Sequence, residues 1–126
     1  MRESSIEDYL VRRVKELGGE CRKVQWIGRK GAPDRVVMLG KDKALAYLSD
    51  IIDAARNGDR IDESVVLDAL LGMVLVWPEL KAEGLAALFP HTPHERQQHR
   101  EHERMRAMGQ RVVVIDSYAG VEELLS

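Results

Sequence analysis

The chain has 126 residues, 44% hydrophobic and 32% charged, the proportions of one ordinary globular core, and it holds no apolar run long enough to span a bilayer. A formal charge of −2 excludes a uniformly basic nucleic-acid coat, and a single cysteine, Cys21, excludes an internal disulfide and a cysteine-built zinc site. The opening Met1-Arg2-Glu3-Ser4-Ser5 leads into a polar helix rather than an apolar leader, so a single cytoplasmic domain is expected over 1–126, with no membrane contact.

Ser4-Ser5-Ile6-Glu7 has the form of a capping box, and Ile6, Leu10, Val14 and Leu17 recur on one stripe of a first helix that ends at Gly18-Gly19. Glu7 borders that stripe, so its carboxylate either folds back onto the Ser4 amide or points toward a buried site. A strand follows from Glu20 to about Trp26, then a basic turn, Gly28-Arg29-Lys30-Gly31, then a second strand, Arg35 to Leu39, opened by Pro33 and Asp34. Residues 41–72 alternate between helical apolar spacing (Leu45, Leu48, Ile51, Ile52; Val66, Leu70, Leu71) and a break at Asn57-Gly58-Asp59. They predict a helical hairpin inserted between neighbouring strands and closed by Gly72. This block carries most of the surplus acid, and without it the chain is marginally basic, with cations at Arg22, Lys23, Arg29, Lys30 and Arg35.

Met73 to Trp77 is apolar enough to be a buried strand, and it continues into Glu79-Leu80-Lys81. In a strand, Glu79 and Lys81 emerge on one side while Leu80 turns into the core. One strand end thus delivers a carboxylate and a cation to the same place. Buried charges there are costly unless they bind something. With Asp34 upstream, the set is that of a metal-dependent phosphodiesterase. Thr92-Pro93-His94-Glu95 starts a helix reaching about Met108, with Arg96, Arg100 and Arg104 as a basic ridge and Gln98, His102 and Met105 on another face. Val112–Ile115 is a strand, and Gly120 to Leu125 a closing helix. His91, His94, His99 and His102 lack a cysteine or a suitably spaced acid to complete a zinc site, so they are taken as solvated or hydrogen-bonding, and Trp26 and Trp77 as core.

Taken together, the helix with Glu7, Gly18-Gly19 before a strand carrying Lys23, Gly31-Ala32-Pro33-Asp34-Arg35, Glu79-Leu80-Lys81-Ala82, and Thr92-Pro93 through Gln98 to Gly109-Gln110-Arg111-Val112 resemble the VRR-NUC (virus-type replication-repair nuclease) domains of the PD-(D/E)XK superfamily. The resemblance covers nearly everything outside 41–72. It implies an α/β, restriction-endonuclease-like fold: a mixed β-sheet flanked by helices. It further implies that Asp34 and Glu79, with the Leu80 carbonyl and Glu7, hold Mg²⁺ or Mn²⁺. Lys81 and Gln98, or its neighbour Gln97, would then serve the attacking water and the phosphate. Lys23, Arg29, Lys30, Arg35 and the Arg96-Arg100-Arg104 ridge are the expected DNA contacts. Stand-alone members are similar to Holliday-junction resolvases, which implies a homodimer on four-way DNA junctions. The alternatives are a monomeric flap or end-processing nuclease and a non-catalytic DNA-binding subunit.

Overall fold

Ile6, Leu10 and Val14 recur one helical turn apart, and in the computed structural model, which describes residues 1–126, all three are fully buried along helix α1 (Glu3–Glu16). Their counterpart is a four-stranded sheet of β1 (Glu20–Lys23), β2 (Arg35–Met38), β3 (Leu75–Leu80) and β4 (Val112–Ile115), in that spatial order. The first two pairings are antiparallel and the last, β3 with β4, is parallel. Helices α2 (Asp42–Arg56) and α3 (Glu63–Val74) form a hairpin between β2 and β3. Helix α4 (Pro93–Ala107) crosses between β3 and β4, and α5 (Tyr118–Leu125) closes the chain. The result is the mixed α/β arrangement that the resemblance implies.

One face of the sheet holds the core. Val37, Val76, Leu80 and Ile115 pack against the α1 stripe and against Val121 and Leu124 of α5. Each such side chain withdrawn from water contributes about 1.5–3 kcal/mol. Polar contacts tie α1 to α5: Arg13 Nε and Tyr9 Oη each donate to Glu122 Oε1 at 2.6 Å, and the Tyr9 and Tyr118 rings stack at 4.1 Å. The opposite face receives α4. No helix is long and apolar enough to cross a membrane.

Three local expectations change. The N-cap of α1 is Arg2, and Ser4 and Glu7 form no capping box; Glu3 takes the first turn, where a carboxylate faces the helix dipole. Helix α3 continues through Gly72 to Val74, and the strand starts only at Leu75. Gly72 is a close-approach residue rather than a stop, because a Cβ there would lie 3.1 Å from the Arg111 side chain, whose Nη1 donates to the Gly72 carbonyl. Strand β1 ends at Lys23, short of Trp26, although one further bond runs from the Val24 N–H to the Asp34 carbonyl. The Thr92 cap is as expected, with both halves of its capping box formed by Glu95.

Candidate active site

Strands β2 and β3 pair at Val37–Val76 and Met38–Leu75, with the Leu39 N–H bonded to the Val74 carbonyl. The same register run on would set Asp34 opposite Glu79, but the ladder stops before reaching them. Pro78 lies within β3 at this gap. The N–H groups of Trp77 and Lys81 bond to carbonyls of Arg111 and Ile115 at 2.8 Å, so the alternation of a parallel ladder turns the nitrogen of residue 78 toward β2. Because β2 has parted by then, the missing donor costs nothing.

Glu79 and Lys81 project from the same face of β3, toward α4, while Leu80 sits in the core. Glu79 is 8% exposed, and a carboxylate so buried needs a partner. It has one in His102, fully buried on α4, whose Nε2 lies 3.0 Å from Glu79 Oε1. The other ring nitrogen, Nδ1, has no partner, so the neutral tautomer with its proton on Nε2 satisfies the pair and strands no hydrogen. Lys81 Nζ donates to Gln98 Oε1 at 2.7 Å and pairs with Glu95 at 3.3 Å. Gln98, not Gln97, therefore faces the lysine. Phe89 covers this polar cluster: its ring stacks on His102 at 5.5 Å and lies 5.3 Å beneath the Lys81 ammonium.

Main-chain N–H groups of His91 and Thr92 hold the Glu95 carboxyl below its ordinary range, with a smaller contribution from Lys81. Glu95 thus stays ionised beside the lysine while it caps the helix. Across the gap, Glu3 is raised by desolvation, opposed by Lys81 and reinforced by Glu79, Glu7 and Asp34. Its titration registers how closely these charges are gathered at the N-terminal end of α1.

Glu7 does not cap the helix. It accepts from Arg35 Nε at 3.2 Å, on the α1 side of the sheet. The same pair changes the reading of Arg35, which is 15% exposed and committed to Glu7 rather than presented to a ligand. Lys23, Arg29, Lys30, Arg96, Arg100 and Arg104 are exposed, and Arg96 donates to the His91 carbonyl. Arg29, Lys30, Arg100 and Arg104 line one cleft of ≈ 610 Å³ between the basic turn and α4. Buried Glu101 anchors it, 3.3 Å from Arg104 and 3.7 Å from Arg29.

No family model matches the chain. A protein described as "Putative nuclease p44", from Acyrthosiphon pisum secondary endosymbiont phage 1, is 32% identical over 117 residues, which cover 93% of this chain and 85% of that one. A solved structure described as a VRR_NUC domain superposes with a TM-score of 0.58 at 25% identity, covering 98% of this chain and 92% of the other. The chain belongs to the VRR-NUC family of nucleases. Nucleases of this fold usually use divalent metal ions. In this VRR-NUC chain no three His, Cys, Asp or Glu side chains converge as a self-sufficient metal cage. The donors at the strand gap nonetheless suit a hard cation. Asp34 is exposed and enters none of the protein's ion pairs, and Glu79 uses only one of its oxygens. Mg²⁺ characteristically takes one or two carboxylates and completes its shell with water and substrate phosphate.

The sequence places His102 on the face of Gln98 and Glu95 at a helix start, but assigns neither of them, nor Phe89 or Glu101, a part in the site of this nuclease. The shared face of Gln98 and His102, four residues apart, is the signal that turns the histidine to the same side of the sheet as Lys81. Glu95 was recognised only as a cap. Phe89, by contrast, comes from an irregular crossing, where no periodicity announces which way a side chain turns.

Proposed function

We propose that this VRR-NUC chain is a Mg²⁺- or Mn²⁺-dependent, structure-specific DNA endonuclease, one domain with 41–72 as a helical insert, acting as a homodimer on four-way junctions. The observation that carries the catalytic part is Glu79 and Lys81 on one face of β3, at the place where β2, which Asp34 immediately precedes, separates from β3. Asp34, Glu79, the Leu80 carbonyl and Glu7 are the residues that would hold the metal; Glu7 also accepts a hydrogen bond from Arg35 through one of its oxygens. A metal bound there would polarise the scissile phosphate and lower the pKa of a bound water. Gln98 and Glu95 hold Lys81 in one geometry, from which its ammonium orients the attacking water or compensates charge gathering on the phosphorane oxygens. The new bond joins water oxygen to phosphorus. The bond to the 3′ oxygen breaks, leaving a 5′-phosphate and, after protonation, a 3′-hydroxyl.

The dimer is supported by apolar side chains that the single chain leaves in water. Leu45, Leu48 and Ile52 on α2, and Val65, Leu67 and Leu71 on α3, are exposed, and α2 has no buried residue. A second copy is the occupant that two symmetric cuts require. The test is cleavage of four-way junction, flap, duplex and single-stranded DNA with and without Mg²⁺, alongside light scattering. Symmetric nicking of the junction by a dimer is expected, lost in Asp34→Asn and Glu79→Gln. A monomer that cuts flaps and leaves junctions whole would replace the resolvase reading with the flap nuclease. No metal-dependent cleavage of any substrate would leave the DNA-binding subunit.

A further inference from the structure

We propose that the crevice walled by Trp26, Trp77 and the C-terminal half of α4 receives an unpaired DNA base, while the adjoining Arg29–Lys30–Arg100–Arg104 cleft holds the neighbouring phosphates. The inference rests on the DNA-nuclease reading above and adds what that reading lacks, a means of recognising disrupted pairing. The crevice, ≈ 670 Å³, shares Trp26, Arg29, Glu101 and Arg104 with the cationic cleft, so the two form one continuous channel. Its chemistry changes along its length. One end presents four cations against the single carboxylate of Glu101, and the other presents Trp77, Met105, Ala107 and Met108.

That gradient matches a nucleotide, which is anionic at the phosphate and flat and apolar at the faces of its base. Both indoles are held in place by their N–H groups. Trp26 Nε1 donates to the Pro33 carbonyl at 2.7 Å and Trp77 Nε1 to Gln110 Oε1 at 2.8 Å, so the polar edges are occupied, and the two half-buried rings line the crevice with apolar surface rather than lying in the core. The rings are tilted by 48° at 5.4 Å, a wedge rather than a closed stack. At the rim, Met108 is 70% exposed, a flexible apolar side chain positioned to close over a flat guest. Glu101, buried between Arg29 and Arg104, fixes both guanidinium groups toward the channel.

Position ties the crevice to the strand gap. Gly31, at the end of the basic turn, approaches α4 so closely that a Cβ would sit 3.0 Å from the backbone of Gln98, the residue that holds Lys81. The channel therefore begins at Gln97, next to the lysine's partner in the chain, and runs along α4 away from it. A base inside a continuous duplex shows neither face and cannot enter. At a branch point, bulge or frayed end it can.

The experiment uses the full chain carrying Asp34→Asn, with Mg²⁺, so that binding is read without turnover. Anisotropy of labelled DNA compares a continuous duplex with the same duplex bearing one unpaired nucleotide. Trp26 and Trp77 are the chain's only tryptophans, so intrinsic fluorescence reports on the crevice directly. The expected result is about tenfold tighter binding of the unpaired substrate, with tryptophan quenching specific to it. The preference should fall severalfold in Trp26→Leu and in the surface variant Met108→Ala, with duplex affinity retained. Equal affinity for the two DNAs, or a preference that survives Met108→Ala and a folded Trp26→Leu, overturns the proposal. Cleavage by the unmutated chain without a base preference sinks this inference alone, whereas a base preference in a chain that cuts no DNA sinks only the nuclease reading.

Discussion

His102 Nε2 lies 3.0 Å from Glu79 Oε1, and this fully buried ring is the only side chain hydrogen-bonded to that carboxylate. The contact does two things. It compensates a charge drawn out of water, and it fixes the plane of the carboxylate so that Oε2 is left for a ligand. A residue supporting a metal ligand in this way typically contributes about 10–100-fold to metal affinity or activity. We therefore expect His102→Leu to raise the Mg²⁺ concentration for half-maximal cleavage by about that factor. His102→Gln, which keeps an N–H donor, should restore part of it. Metal titrations of both variants, with thermal melts to establish folding, decide the matter; unchanged Mg²⁺ dependence in His102→Leu would make the histidine a packing residue only.

Lys81 is held by Gln98 and Glu95, and its ammonium has little freedom to reposition. Such a preorganised cation acts on charge that develops during reaction more than on charge already present. Lys81→Met should slow single-turnover cleavage of bound DNA by about 10²–10³-fold while changing DNA affinity by less than about threefold. Gln98→Ala should show a milder form of the same split. A variant that loses affinity and cleaves bound DNA at the normal rate would make Lys81 an anchor.

Arginines of similar appearance in the sequence should behave differently in salt. Arg29, Arg100 and Arg104 line the open cleft, whereas Arg35 is sequestered by Glu7. Neutralising each true phosphate contact lowers the slope of log affinity against log salt by about one unit. Arg29→Gln and Arg100→Gln are expected to do so, and Arg35→Gln to leave the slope intact while lowering the melting temperature. A flattened slope in Arg35→Gln would mean that its pair with Glu7 opens to DNA.

Glu122 joins α5 to α1, and hydrogen bonds from Arg13 and then Tyr9 bring its carboxyl down from 4.5 to about 2. The folded protein therefore takes up this proton less readily than the unfolded chain. The stabilisation is whole above about pH 4.5 and is lost as the pH falls from there to about 2. Glu122→Gln should melt below the unmutated protein at neutral pH, with the difference closing across that window. A difference independent of pH would place the effect in packing.

How much of this was legible in the sequence depended on how far apart the informative residues lie. Helix α1 and the Thr92 cap announce themselves within a few positions, through apolar spacing and a local side-chain to backbone bond. The pairing of Glu79 with Lys81 on one face follows from strand alternation alone. Ser4 and Gly72 mislead for one reason: each matches a local signal that a distant neighbour overrides. Arg35 takes Glu7 out of the cap, and Arg111 makes Gly72 a packing contact inside a helix. The link between Glu79 and His102 is likewise long-range, and the irregular crossing that places Phe89 against them carries no period to follow.

The Leu39 N–H meets the Val74 carbonyl at 2.9 Å, so the whole α2–α3 hairpin leaves and re-enters the sheet through one hydrogen-bonded doorway, and the core cluster contains none of its side chains. For protein engineering, that doorway is a splice point. A tight turn in place of the hairpin, or a foreign module grafted there, is expected to leave the Val37–Val76 and Met38–Leu75 register as it is.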